Sequence, residues 1–176
     1  MPAKKLAHMP PLVFPHAGHA ALRRHRVDLP GHVYLVTATT LARQPFFSEF
    51  TPTCAAARRH LDPDVCRDSR LLAWVLMPDH AHWLVQVGDG DHLASMMNRI
   101  KSATARAYNE EAGRTGALWA RAYHERLLRG DDDVRGAARY LVANPVRAGL
   151  VKRVGDYPFW DAVWIGDRSE GAVGAP

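Results

Sequence analysis

The chain has 176 residues, with 23 Lys and Arg against 18 Asp and Glu and a formal charge of +5 at pH 7. That length makes one ordinary domain with a proper core, and the surplus of positive charge suits a polyanionic partner. No apolar run approaches the ~20 residues of a membrane span. No signal-peptide pattern opens the sequence, and Cys54 and Cys66 lack the Cys-x-x-Cys spacing of a structural zinc. A cytoplasmic protein with two reduced thiols is the expectation.

Residues 1–27 mix Pro2, Pro10, Pro11 and Pro15 with His8, His16 and His19 and end in Arg23-Arg24-His25-Arg26. Prolines at this density break helices and sheets, so the segment reads as an arm whose basic end either follows phosphates or is simply solvated. Turn chemistry at Leu29-Pro30-Gly31 launches a first strand over 32–40, rich in β-branched and aromatic residues. Pro52 and Pro63 bracket a helix carrying Cys54, Ala55, Ala56, Ala57, Arg58, Arg59 and Leu61. Residues 71–77 read as a buried strand, Pro78-Asp79 as a turn, and 80–87 as its antiparallel partner.

The run from Gly88 to Asp91 breaks the sheet and offers an N-cap to a helix reaching about Glu111. Leu93, Met96, Met97, Ile100, Thr104 and Ala107 give that helix an apolar face. Arg99, Ser102, Arg106 and Asn109 form a stripe on its far side that suits a phosphate backbone or plain solvent. Gly113 to Gly116 closes the helix, and a short strand follows around 125–128. Asp131-Asp132-Asp133 caps a helix through Val134, Ala137, Ala138, Leu141 and Val142, which Pro145 stops. Tyr157-Pro158-Phe159-Trp160 and Trp164 pack back onto the body, and the last residues fray. The division is therefore an arm (1–27), one domain (28–165) and a tail (166–176). The order of elements predicts an α+β domain with helices on one mainly antiparallel sheet.

Chemistry concentrates at His80 and His82. On a strand they project from one face while Ala81 points away, so they can share one metal ion. Two neutral imidazoles make half a coordination sphere and leave room for an oxygen ligand and a substrate. Spacing alone equally allows two surface histidines at a strand start. Tyr140 and Asn144 stand one helical turn apart, and the amide oxygen of asparagine is a good ligand for a hard metal. The plainer reading makes Tyr140 a half-buried aromatic and Asn144 a capping residue before Pro145. Asp79 either orients the His80 ring or simply forms the turn. Tyr34 and Tyr108 read as packing residues, and Tyr123, beside His124 and Glu125, lies either on a strand bordering the site or, more simply, on a plain edge strand. Arg23, Arg24, Arg26, Arg99, Lys101, Arg106, Arg121, Arg126 and Arg147 are phosphate candidates, and Trp83 or Trp119 could stack an unpaired base.

The runs Met77-Pro78-Asp79-His80-Ala81-His82, Arg139 to Val151 (Arg-Tyr-Leu-Val-Ala-Asn-Pro-Val-Arg-Ala-Gly-Leu-Val) and Tyr157-Pro158-Phe159 together resemble the single-tyrosine transposases of the HUH superfamily. The REP-associated tyrosine transposase branch is the nearer likeness, over roughly residues 25–165. The resemblance implies a ferredoxin-like (RRM-like) HUH fold. It also implies cleavage of hairpin-bearing single-stranded DNA through a transient 5′-phosphotyrosine, by a monomer or homodimer and without a membrane. Carried over by position, Tyr140 is the nucleophile, and His80, His82 and Asn144 hold Mg2+ or Mn2+. Near the first strand the branch often carries Gly-Thr-Trp, linked to reading a short guide sequence. Here the stretch is Pro30-Gly31-His32-Val33-Tyr34, so no DNA sequence preference carries over. Two other functions share these residues: a hairpin-binding regulator that does not cut, and a metal phosphodiesterase that uses water.

Overall fold

β1 (Val33–Thr39) buries every second residue, Tyr34, Val36 and Ala38, and leaves Val33, Leu35, Thr37 and Thr39 half-exposed, the alternation expected where one face meets the core. The computed structural model describes residues 30–129 and 132–165. The proposed arm, with Arg23, Arg24 and Arg26, and the proposed tail lie outside the described residues.

After β1 come α1 (Phe50–Arg58), α2 (Pro63–Cys66), β2 (Arg70–Met77), β3 (His80–Gln86), α3 (Leu93–Glu111), β4 (His124–Leu128), α4 (Val134–Val142), α5 (Asn144–Arg147) and β5 (Trp160–Ala162). The strands form one antiparallel sheet in the order β4-β1-β3-β2-β5. Its first four strands, with α1 and α3 as crossovers, follow the ferredoxin-like β-α-β-β-α-β plan, and the expected α+β class holds. Among the described residues no helix is long and apolar enough to cross a membrane.

Several boundaries differ from the sequence reading for local reasons. The single helix expected between the two prolines is α1, a 3-10 turn at Arg59–Leu61, and a separate α2. Asp62 starts α2 by accepting the Asp64 amide at 2.9 Å, with Pro63 at the helix start, where its missing N–H costs nothing. Asp91 does not cap α3. His92 holds the cap position without a side-chain capping bond to the helix, and the Asp91 carboxylate turns instead to Arg99 and Ser69. The buried face of α3 adds Ala103 and Tyr108, whose hydroxyl donates to the Phe46 carbonyl at 2.7 Å, while Ala107 is only half-buried. α4 stops at Val142, and Pro145 lies in the first turn of α5 rather than ending a helix that includes Asn144. The aromatic tail segment packs back as expected and also contributes β5, which pairs with Ala73–Val75 of β2. Tyr157 ties it down by donating to the Leu76 carbonyl at 2.6 Å.

The sheet has two chemically distinct faces. On one, Trp83 donates Nε1–H to His60 Nε2 at 2.8 Å, and His60 stacks on Trp74 with centroids 4.4 Å apart. Trp119 lies 5.5 Å from Trp83 and donates to Thr104 of α3. This is the core face, covered by α1 and α3. Trp83 and Trp119 are 0% and 7% exposed, so neither offers a free ring to an unpaired base. The opposite face carries His80 and His82. Opposed residues of paired strands point the same way, and the register sets Thr39 and Met77 beside His80, and Thr37 and Val75 beside His82.

Candidate active site

The Pro78-Asp79 turn places His80 at the first position of β3, and the end of β1 fixes that turn. The Asp79 carbonyl accepts the Thr40 amide at 2.9 Å and the Thr40 hydroxyl at 3.0 Å. The Asp79 carboxylate lies 2.5 Å from His80 Nδ1 and accepts from Arg43 at 3.1 Å. Burial works against its charge, but the bond and charge of His80, helped by Arg43, outweigh this and hold the carboxyl below its ordinary pKa. Asp79 thus does both things the sequence allowed: it forms the turn and orients the ring.

His82 is held by Thr37, whose hydroxyl lies 2.7 Å from His82 Nδ1. Burial, then the charges of His80 and Arg147, push the His82 pKa down to about 3, so the ring is neutral at pH 7 and keeps a lone pair for a ligand. The two imidazoles stand edge to face, centroids 4.9 Å apart at 87°. Nδ1 of each ring is engaged, and among the described residues Nε2 of neither makes a hydrogen bond, which is how metal-binding histidines are usually braced.

α4 packs on β2, β3 and β5 and carries Tyr140, half-buried. Asn144 donates Nδ2–H to the Leu141 carbonyl at 2.8 Å, and its Oδ1 accepts from Arg147 at 2.5 Å. Arg147 also donates to the Tyr140 carbonyl at 2.7 Å, and its guanidinium lies 3.7 Å over the Tyr140 ring. Its charge is one of the causes that lower the His82 pKa. Two imidazoles and an amide oxygen are donor groups that divalent metal ions accept. Among the described residues no group of three or more His, Cys, Asp or Glu could hold a metal ion, here or elsewhere, so a metal at this place would depend on the two imidazoles and the Asn144 amide.

The basic candidates separate. Arg99 pairs with Asp91 at 2.5 Å and donates to the Val65 and Cys66 carbonyls, bracing α2 against α3 rather than facing a phosphate. Lys101 donates to the Ala120 and Arg121 carbonyls at 2.7 and 3.1 Å and holds the loop before β4. Asn109 is bound to Gly116 and Arg114. Arg106 and Arg121 are exposed. Arg126 pairs with Asp132 at 3.2 Å and, opposite Leu35, belongs to the histidine face. The sequence reading missed Thr37 and Arg43, since neither has a local signal.

Residues 35–142 match the family model described as "Transposase IS200 like". The chain belongs to this transposase family. It is 30% identical over 131 residues to the REP-associated tyrosine transposase of Escherichia coli (strain K12), covering 66% of this chain and 76% of that protein. A putative REP-associated tyrosine transposase of Haemophilus influenzae is 30% identical over 98 residues, 50% of this chain and 56% of the relative. A solved structure of a REP-associated tyrosine transposase bound to a REP hairpin superposes with a TM-score of 0.58 at 26% identity, covering 77% of this chain and 79% of that one. Within the family, the chain falls in this REP-associated, single-tyrosine branch.

Proposed function

We propose that this chain is a divalent-metal-dependent transposase that cleaves and rejoins single-stranded, hairpin-bearing DNA through a 5′-phosphotyrosine on Tyr140. One observation supports this reading above the others. Among the described residues, Nδ1 of His80 and of His82 is engaged while Nε2 of neither makes a hydrogen bond, and α4, which carries Tyr140, packs on the strand that holds them. His80, His82 and Asn144 would hold Mg2+ or Mn2+, whose charge polarises a phosphate and favours ionisation of a nearby hydroxyl.

Tyr140 supplies the attacking oxygen. As Oη bonds to phosphorus the phenol gives up its proton, the P–O3′ bond breaks, and the departing 3′ oxygen takes up a proton as a hydroxyl. The tyrosyl ester conserves the phosphodiester bond energy. A 3′-hydroxyl attacking that ester regenerates both a DNA phosphodiester and the free tyrosine, so strands are joined without ATP. Arg126 on the same face and the exposed Arg106 and Arg121 supply phosphate contacts. A relative bound to a REP hairpin supports hairpin DNA as the substrate class.

Incubation with hairpin DNA from sequences flanking the gene and Mg2+ is expected to give a covalent protein–DNA adduct, resolved on a denaturing gel and lost in Tyr140→Phe. An undiminished adduct refutes the nucleophile. Cleavage insensitive to Tyr140→Phe selects the water-using phosphodiesterase, and binding without cleavage in every metal selects the regulator. The double variant His80→Ala, His82→Ala is expected to lose cleavage and keep hairpin affinity, because phosphate contacts dominate binding.

A further inference from the structure

Arg147 meets the proposed site at three points. Nη2 donates to Asn144 Oδ1 at 2.5 Å, Nη1 donates to the Tyr140 carbonyl at 2.7 Å, and the guanidinium plane covers the Tyr140 ring at 3.7 Å. Both ends of the Asn144 amide are engaged: Nδ2 donates to the Leu141 carbonyl and Oδ1 accepts from Arg147. The oxygen that would complete the metal sphere therefore already carries a cation. Arg147 is exposed, and no carboxylate pairs with it among the described residues, so its charge is not neutralised within the described fold.

We propose that Arg147 is a positioning residue that couples DNA engagement to completion of the metal site: it holds Asn144 Oδ1 until a DNA phosphate draws its guanidinium away. This rests on the function proposed above and adds an order of events to it. A phosphate is the stronger partner, because a charge-assisted, two-pronged bond to an anion replaces bonds to two neutral oxygens and a stack on one ring. On release the Leu141 bond keeps Nδ2 anchored while Oδ1 becomes free. Moving the guanidinium onto a phosphate also removes like charge from the approach of a divalent ion. DNA and metal then bind with mutual favour, and the effect of each on the other is equal in free energy.

The test measures Mn2+ affinity by calorimetry on the full chain carrying Tyr140→Phe, which keeps the aromatic ring and prevents cutting. Without DNA, Arg147→Ala is expected to bind Mn2+ about tenfold tighter than this parent, within the range usual for coupled sites. Arg147→Lys keeps the charge but cannot stack on the ring and span both carbonyl oxygens, so it gains part of that tightening while the salt dependence of hairpin binding stays close to the parent's. Adding Asn144→Ala to Arg147→Ala is expected to erase the gain. Equal Mn2+ affinity in parent, Ala and Lys variants overturns the proposal. So does a gain that persists without Asn144, which would reduce Arg147 to a nearby charge. An adduct through Tyr140 with no such coupling sinks this inference alone, whereas coupling without an adduct sinks the catalytic reading alone.

Discussion

Thr37 of β1 and His82 of β3 face each other in register, and the threonine hydroxyl stands 2.7 Å from His82 Nδ1. That contact decides which nitrogen of His82 is left for a ligand. Thr37→Val keeps shape and β-branching while deleting the hydroxyl, so the strand survives and the ring loses its brace. Loss of such an outer partner typically costs about 10–100-fold in metal affinity. Mn2+ titration of Thr37→Val should show a weakening of that order with the melting temperature nearly unchanged. Unaltered affinity would mean that the neighbouring side chains alone fix the ring.

Asp79 does for His80 what Thr37 does for His82, but with a charge. Asp79→Asn keeps the backbone bonds to Thr40 and removes the anion that faces His80 Nδ1. Mn2+ affinity should fall about tenfold. Asp79→Ala should do the same and lower the melting temperature slightly more, since its side chain also accepts from Arg43. Circular dichroism and titration on the same samples separate the two effects.

Much of this arrangement was legible in local sequence, because period-two alternation, a Pro-Asp turn and a four-residue helical step are short-range signals. The histidine pair and its shared face needed nothing more, whereas Tyr140 and Asn144, read as one turn of a single helix, fall on α4 and α5 on either side of Ala143. Thr37 was not legible, since it meets His82 only through a register set 45 residues away in the chain. Arg99 and Arg106 looked alike on one helical stripe. They separate only because the loop carrying Asp91 folds back onto the first of them. Pro145 was read as a stop when it is also a favourable start, and only the packed chain shows that α5 uses it so. β5 is three residues long, too short for alternation to register.

Acid should weaken the fold through His60. It is 3% exposed, accepts from Trp83 at Nε2 and therefore donates Nδ1–H to the Ala57 carbonyl. Burial, only partly offset by its backbone bonds, lowers its pKa from 6.5 to about 4. Between these values the unfolded chain binds a proton that the folded chain refuses, so stability falls as pH drops from 6.5 to 4 and levels off below. Above pH 6.5 this penalty is absent. The full effect is on the order of 3 kcal/mol, and His82, held down to about 3, adds a loss of the same sign. Urea midpoints from pH 7.5 to 4 should show a shallower fall for His60→Gln than for the parent, even though this variant starts less stable. An identical slope would assign the acid sensitivity elsewhere.

Arg99 offers a direct contrast between holding the fold and holding DNA. Its guanidinium pairs with the 9% exposed Asp91 and reaches two backbone carbonyls of α2. Although burial opposes its charge, Asp91 is held at about 2 by Arg99, Ser69 and the His92 amide. Arg99→Met keeps the apolar stem but strands that carboxylate, a change that costs about 3–5 kcal/mol at fully buried pairs and less here, where Arg99 is partly exposed. The variant should therefore melt well below the parent. At a temperature where both are folded, the salt dependence of its hairpin binding should match the parent's, because a residue committed to Asp91 releases no counterion from DNA. Arg106→Ala reverses the pattern, with little effect on melting and a salt slope shallower by about one. A flattened salt slope in Arg99→Met would return Arg99 to the DNA surface.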